Sequence, residues 1–147
     1  MASKTIVFPT DFSEMSLGAL PWVTNMAEQM DARILCIYVV EEPQIYSTLD
    51  MGAVAIPTTG ELVESAKSRL EKFVAEHISN APHKTDSKVV VGHAATEIVG
   101  VAAESDAAMI VMTTHGYGGI KHALLGSTAE DVVRKAACPV LSIRNPD

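Results

Sequence analysis

Apolar residues recur along this chain with two alternating periods. Thr5-Ile6-Val7-Phe8 is β-branched and aromatic, is stopped by Pro9, and predicts a first strand. Thr10-Asp11-Phe12-Ser13 then forms a polar turn with Ser13 as a helix N-cap. From 14 to 30 the apolar positions Leu20, Val23, Ala27 and Met30 make a helical stripe, in which Pro21 kinks the helix or delays its start. Residues 34–40 are continuously apolar, as in a strand buried on both faces of a parallel sheet.

Residues 41–60 carry Pro43, Gly52, Pro57 and Gly60 without periodicity and predict a long surface loop. A helix follows over 61–79, with Leu62, Ala66, Leu70, Phe73, Val74 and Ile78 on one face. Residues 88–91 predict a third strand, 94–104 a helix, 107–112 a fourth strand, 127–137 a helix and 139–143 a fifth strand. Ser127 and Glu130 have the spacing of a capping box for the last helix, an explanation of Ser127 that needs no ligand.

Repeated βα units require crossover connections, and right-handed crossovers put helices on both faces of one sheet. The expectation is an α/β fold, a three-layer doubly wound sandwich on a five-stranded parallel sheet. If its strand order is 3-2-1-4-5, order reverses between strands one and four, and ligands in such folds sit beyond the carboxyl ends there. Pro9-Thr10-Asp11 and Thr113-Thr114-His115-Gly116 lie just past those two strands.

The second of these segments opens a glycine-bearing loop that runs from the fourth strand to Gly126-Ser127 at the start of a helix. Glycine lets backbone N–H groups approach a ligand closely, and a helix N-terminus adds free donors and partial positive charge. The loop is therefore a candidate phosphate cradle. It lacks the Lys of a Gly-x4-Gly-Lys-Ser/Thr loop, and Lys121 spoils Gly-x-Gly-x-x-Gly. A merely flexible βα loop remains an alternative reading of the glycines.

With 147 residues, 48% of them hydrophobic and 20% charged, the chain suits one domain over 1–147 with a core of its own. A net charge of −7 with scattered basic residues argues against nucleic acid as a partner. No apolar run is long enough for a membrane span, and the N-terminus shows no leader pattern, so the cytoplasm is expected. Cys36 and Cys138 have no CxxC neighbour and read as two buried or half-buried thiols, a disulfide being the lesser alternative. His93 and His122 lack metal-ligand spacing.

Gly116, nine intervening residues and Gly126-Ser127 resemble the universal stress protein family, whose nucleotide-binding members carry Gly-x2-Gly-x9-Gly-Ser/Thr after the fourth strand. Pro-Thr-Asp-Phe-Ser at 9–13, Val39-Val40-Glu41, Val91-Gly92 with Thr96-Glu97-Ile98, and Cys138-Pro139-Val140-Leu141 extend the likeness over nearly the whole chain. Thr113 departs from it, standing where the family motif has its first glycine.

The resemblance implies an adenine nucleotide alpha hydrolase-like fold and a cytoplasmic stress-response or signalling module that binds an adenine nucleotide, ATP or AMP. Gly116, Gly126, Ser127 and Thr128 would hold the phosphates. Thr10 and Asp11 would lie near ribose and phosphates, Asp11 meeting a phosphate-bound Mg²⁺, and Val39 would receive the adenine edge through its backbone. Pro9, Gly92 and Met112 would line the base pocket. Thr113 would narrow that pocket or donate to ribose or phosphate.

Asp11 also reads as a turn residue capping the first helix. His115 could touch a phosphate, but the favoured role is a hydrogen bond to the loop backbone. The family also implies a homodimer through the last strand. No placed base or nucleophile stands out, so the expected activity is none, or at most weak ATPase or autophosphorylation. The alternative is a family member that acts through dimerisation and protein partners without nucleotide.

Overall fold

In the computed structural model, which describes residues 4–41, 58–78, 84–115 and 125–144, strands and helices alternate as their periodicity requires. The strands are β1 (Lys4–Pro9), β2 (Ala32–Val40), β3 (Thr85–Val91), β4 (Met109–Thr113) and β5 (Val140–Ile143). The helices are α1 (Glu14–Leu17), α2 (Leu20–Met30), α3 (Thr59–His77), α4 (Ala94–Glu104) and α5 (Ser127–Lys135). The five strands form one parallel sheet in the order β3-β2-β1-β4-β5, as expected for a doubly wound fold.

Successive side chains of a strand point to opposite faces, and here the two faces nucleate two cores. Ile6, Phe8, Ile34, Cys36 and Val111 pack with Val23 and Ala27 of α2 and Leu70 and Phe73 of α3. Val7, Ile37, Ile110 and Met112 pack with Ala95, Ile98 and Val101 of α4 and Ala129 and Val132 of α5. Helices thus cover both faces, giving the three layers. The central β1 residues Ile6, Val7 and Phe8 are fully buried, and each such side chain contributes on the order of 1.5–3 kcal/mol through its removal from water.

The cysteines fall on opposite faces of the sheet: Cys36 lies within the first core, and Cys138 packs half-buried against the second. Both are free thiols. Burial pushes the Cys36 thiol up to about 12 and also raises that of Cys138.

Several element boundaries differ from the sequence expectation for local reasons. The predicted helix over 14–30 is two helices separated at Gly18-Ala19, and Pro21 lies in the first turn of α2, where its missing N–H costs nothing. β4 opens at Met109 rather than at 107: Ala107 closes α4, and the Ala108 N–H donates to the Thr5 carbonyl of β1. Asp106 takes a left-handed conformation (φ 49°), and the Ala107 N–H turns back to the Ala102 carbonyl.

β3 begins earlier than its apolar run, because Thr85, Asp86 and Ser87 pair with β2 along a sheet edge, where the Asp86 carboxylate meets Arg33 of β2 and Ser87 is exposed. The predicted loop over 41–60 ends sooner, since Thr58 caps α3 by accepting from the Glu61 N–H at 3.1 Å. Residues 42–57 and 116–124, including Gly116, Lys121 and His122, lie outside the described residues.

Candidate functional site

The sheet opens at its topological switch point. β1 is paired with β2 from Lys4 to Pro9, but with β4 only at Ile6↔Met109 and Val7↔Ile110. Above those pairs β4 stays with β5 as far as Thr113↔Ile143. β1 and β4 therefore part towards their carboxyl ends. Pro9 contributes to this, because it has no N–H to donate across the gap.

Alternation of the parallel ladders shows which backbone groups line the opening. Ile110 and Thr114 donate to Pro139 and Ile143 on the β5 side. Val111 and Thr113 consequently turn their N–H and C=O groups towards β1. On β2, the Val40 carbonyl accepts from Gly92, and the last bond to β1 runs from the Thr10 N–H to the Ile37 carbonyl. The Val39 backbone therefore faces the β1 side just beyond that last bond.

The same alternation sorts the side chains proposed to line the base pocket. Met112 and Val39 belong to the core under α4 and α5, and Pro9 shares the face of Val7. Gly92 follows Val90 on that face, with φ at +148°. An added Cβ there would lie 2.6 Å from the Glu97 carboxylate of α4. The sheet thus brings Pro9, Val39, Gly92 and Met112 to one face and one end.

Thr113 lies on the other face, with Val111. Its buried hydroxyl donates to the His115 carbonyl at 2.9 Å, which closes a tight turn at the end of β4.

The β1–α1 turn is held by its own side chains. The Asp11 carboxylate accepts from the Ser13 N–H at 2.9 Å, and the Ser13 hydroxyl accepts from the Ser16 N–H at 3.2 Å, capping α1 as predicted. Thr10 accepts from the Phe12 N–H at 3.0 Å, and its hydroxyl meets that of Ser16 at 2.9 Å. Because the Ser16 proton is spent on the Ser13 carbonyl, Thr10 is the donor of that pair. The Thr10 side chain is buried inside the turn and brings only its backbone to the opening. Phe12 adopts φ 66°, a left-handed conformation unusual for a bulky residue.

The opposite wall is the start of α5. The capping box expected from Ser127 and Glu130 is not formed: the N-cap is Gly126, and no side chain among the described residues caps the helix. Gly126 is pinned in extended geometry by its N–H, which donates to the Thr114 carbonyl at 2.7 Å, while its own carbonyl accepts from the Glu130 N–H. The helical turn therefore opens one residue earlier than the spacing suggested, with Ser127 and Thr128 in its first turn. Only glycine allows this approach, since a Cβ at 126 would sit 2.9 Å from the Thr114 carbonyl oxygen. By contrast, the amino end of α4 receives the Glu41 carboxylate, which accepts from the Ala94 N–H at 3.3 Å.

His115 lies between these walls. Its ring Nδ1 meets the Thr114 hydroxyl at 2.9 Å, while most of the loop whose backbone the sequence suggested as its partner lies outside the described residues. Its Nε2 is buried and has no hydrogen-bond partner among the described residues. The imidazole Cδ2 lies 3.7 Å from the position of a Cβ on Gly126, so the ring edge abuts the amino end of α5.

Sequence reasoning missed Phe12, Tyr38, Phe73 and Arg69, which surround the base of the Asp11 turn. They are scattered over three elements, and only Phe12 belonged to a motif.

A model of the universal stress protein family matches residues 2–144. The chain belongs to that family. The universal stress protein MJ0531 of Methanocaldococcus jannaschii is 35% identical over 97% of this chain and 83% of its own length. Universal stress protein MJ0577 of the same organism is 30% identical over 96% of this chain and 94% of its own. The solved structure of MJ0577 superposes with a TM-score of 0.82, covering 100% of this chain and 99% of that one. A universal stress protein from Archaeoglobus fulgidus, solved in complex with dAMP, shares the fold at 23% identity and a TM-score of 0.66, over 97% of this chain and 98% of that one.

Proposed function

We propose that this universal stress protein binds an adenine nucleotide, ATP or AMP, in the opening between β1 and β4 and works as a cytoplasmic stress-response or signalling module. The observation that carries this reading is the amino end of α5. Its first-turn N–H groups have no side-chain cap among the described residues, and Gly126 fastens them to the end of β4 where β1 and β4 part. Uncapped helical N–H groups and the helix dipole favour an anion. The buried Nε2 of His115 beside them, without a partner among the described residues, is a second polar group suited to a ligand atom.

In this reading Gly126, Ser127 and Thr128, with Gly116, hold the phosphates, and Asp11 faces them with a phosphate-bound Mg²⁺. Pro9, Gly92 and Met112 line the base, and the free edge of the Val39 backbone reads adenine. The dAMP complex of the Archaeoglobus fulgidus protein supports the ligand class. The alternative of a nucleotide-free family member rested on Thr113 as an obstruction. Its side chain lies on the face opposite Pro9, Val39 and Met112, which favours the nucleotide reading.

We further propose a homodimer through β5, a sheet-edge strand whose four residues are all half-buried in one protomer. Two free thiols fit a reducing compartment. Among the described residues no helix is long and apolar enough to cross a membrane.

Calorimetric titration with ATP, AMP and cyclic AMP, together with the absorbance of the purified protein near 260 nm, tests the nucleotide reading. Saturable heat with at least one of them is expected. No heat and no change in melting temperature with any would sink it.

A further inference from the structure

We infer that Phe12 is a positioning residue for Asp11, held in a strained backbone conformation by a clamp of Tyr38, Phe73 and Arg69. The inference rests on the nucleotide reading. Phe12 has φ 66°, a region that glycine or asparagine enters readily and a bulky side chain does not. A residue selected for that conformation alone would not be phenylalanine. Its ring must hold it there.

The ring is held on several sides. It stacks on Tyr38 of β2 at 4.5 Å between centroids and 28° between planes. Phe73 of α3 meets it edge-on at 5.9 Å and 67°. The Arg69 guanidinium carbon lies over the ring at 4.4 Å from its centroid. Arg69 is otherwise on the exposed side of α3, so its planar cation covers a ring that would else meet water.

The consequence for Asp11 follows from the turn. The left-handed step at Phe12 brings the Ser13 N–H back to Asp11 Oδ1, while the Phe12 N–H reaches Thr10 Oγ1. With one carboxylate oxygen fixed by a backbone donor, the direction of the other is fixed as well. If Phe12 relaxed to an ordinary conformation, the Ser13 N–H would swing away and the carboxylate would lose that restraint. The clamp also ties Asp11 to α3, an element that contributes no residue to the opening itself.

The test is a double-mutant cycle on ATP affinity, read by calorimetry at a temperature where circular dichroism shows each variant folded. Wild type and Asp11→Asn test the nucleotide reading and the role of Asp11; Phe12→Leu in both backgrounds tests the clamp. Phe12→Leu should weaken ATP about fivefold when Asp11 is present and less than about 1.5-fold in the Asp11→Asn background. A residue that merely supports the fold would cost the same in both backgrounds.

Arg69→Met, at an exposed position, provides a variant that folds. It should weaken ATP about twofold with Asp11 present and leave the affinity of the Asp11→Asn variant unchanged, and Arg69→Lys should restore part of the loss. Equal losses in both backgrounds, or ATP affinity indifferent to Asp11→Asn, would overturn the inference while leaving nucleotide binding intact. A wild-type protein that binds no nucleotide would overturn both.

Discussion

Thr113 offers the sharpest test, because opposite readings of one hydroxyl predict opposite signs. Valine at 113 keeps the β-branched shape that suits a strand and removes the hydroxyl that donates to the His115 carbonyl at 2.9 Å. A neutral hydrogen bond contributes about 0.5–1.5 kcal/mol, and the released carbonyl can turn to water, so Thr113→Val should cost about 1 kcal/mol. Glycine also removes a methyl group from a residue only 9% exposed. That adds about 0.8 kcal/mol per buried carbon, and glycine within a strand costs about 0.5–1 kcal/mol more. Thr113→Gly should therefore lose about 2–3 kcal/mol, and Thr113→Ser, which keeps the donor, should fall between wild type and glycine.

Urea unfolding reads these values directly. With a slope of about 1–3 kcal/mol per molar, the glycine variant should shift its midpoint down by about 1–2 M and valine by about half a molar. For binding, the Thr113–His115 bond pre-sets the turn that leads into the loop. Its loss leaves that ordering to be supplied on binding, and about 1 kcal/mol corresponds to roughly fivefold weaker ATP. Obstruction by Thr113 predicts the reverse. A Thr113→Gly protein that binds ATP more tightly and unfolds at the wild-type midpoint would refute the latch.

Ser127→Ala should change stability by less than about 0.5 kcal/mol in thermal melts, because Gly126 is the N-cap and Ser127 makes no capping bond; a true capping serine would cost about 1 kcal/mol. Gly126→Ala should destabilise by about 1–3 kcal/mol and weaken ATP, since its Cβ would press on the Thr114 carbonyl at 2.9 Å; wild-type stability would contradict that contact. Cys36, raised by burial from its ordinary value of 9.0 to about 12, keeps its proton in the fold while the unfolded chain loses one. Stability should therefore fall as pH rises between those values, by at most about 1.4 kcal/mol per unit, and Cys36→Val should remove that part of the slope in pH-dependent unfolding. Light scattering after size exclusion should give a dimer, and a charged residue at Leu141 of β5 should yield monomers; an unchanged mass would point to another interface.

The alternation of strand and helix periods carried most of the fold. The runs at 5–8 and 34–40 are apolar because β1 and β2 are buried on both faces, and the stripe Leu62, Ala66, Leu70, Phe73 needs only one covered face. Edge strands are harder to read. β3 starts with Thr85, Asp86 and Ser87, which pair with β2 at a sheet edge, so the ladder rather than hydrophobicity defines its start.

The candidate site divides in the same way. Pro9, Val39, Gly92 and Met112 could be named from motif and position, and strand alternation then placed them on one face. Ser127 misled because S-x-x-E spacing describes a cap that a neighbouring glycine pre-empts. Gly126 is drawn into the cap position by the Thr114 carbonyl, a contact that no spacing reveals.

By itself the sequence determined the local choices: which segments are strands or helices, where Pro9 ends β1, and where Ser13 starts a helix. These depend on side-chain shape, burial period and bonds within a few residues. Only the tertiary structure decided that β1 and β4 part above Val7 and Ile110, that Thr113 turns away from the face of Met112, and that Phe12 is gripped by residues of β2 and α3. Those facts depend on partners far apart in the chain, whose meeting is set by the packing of two cores against one sheet.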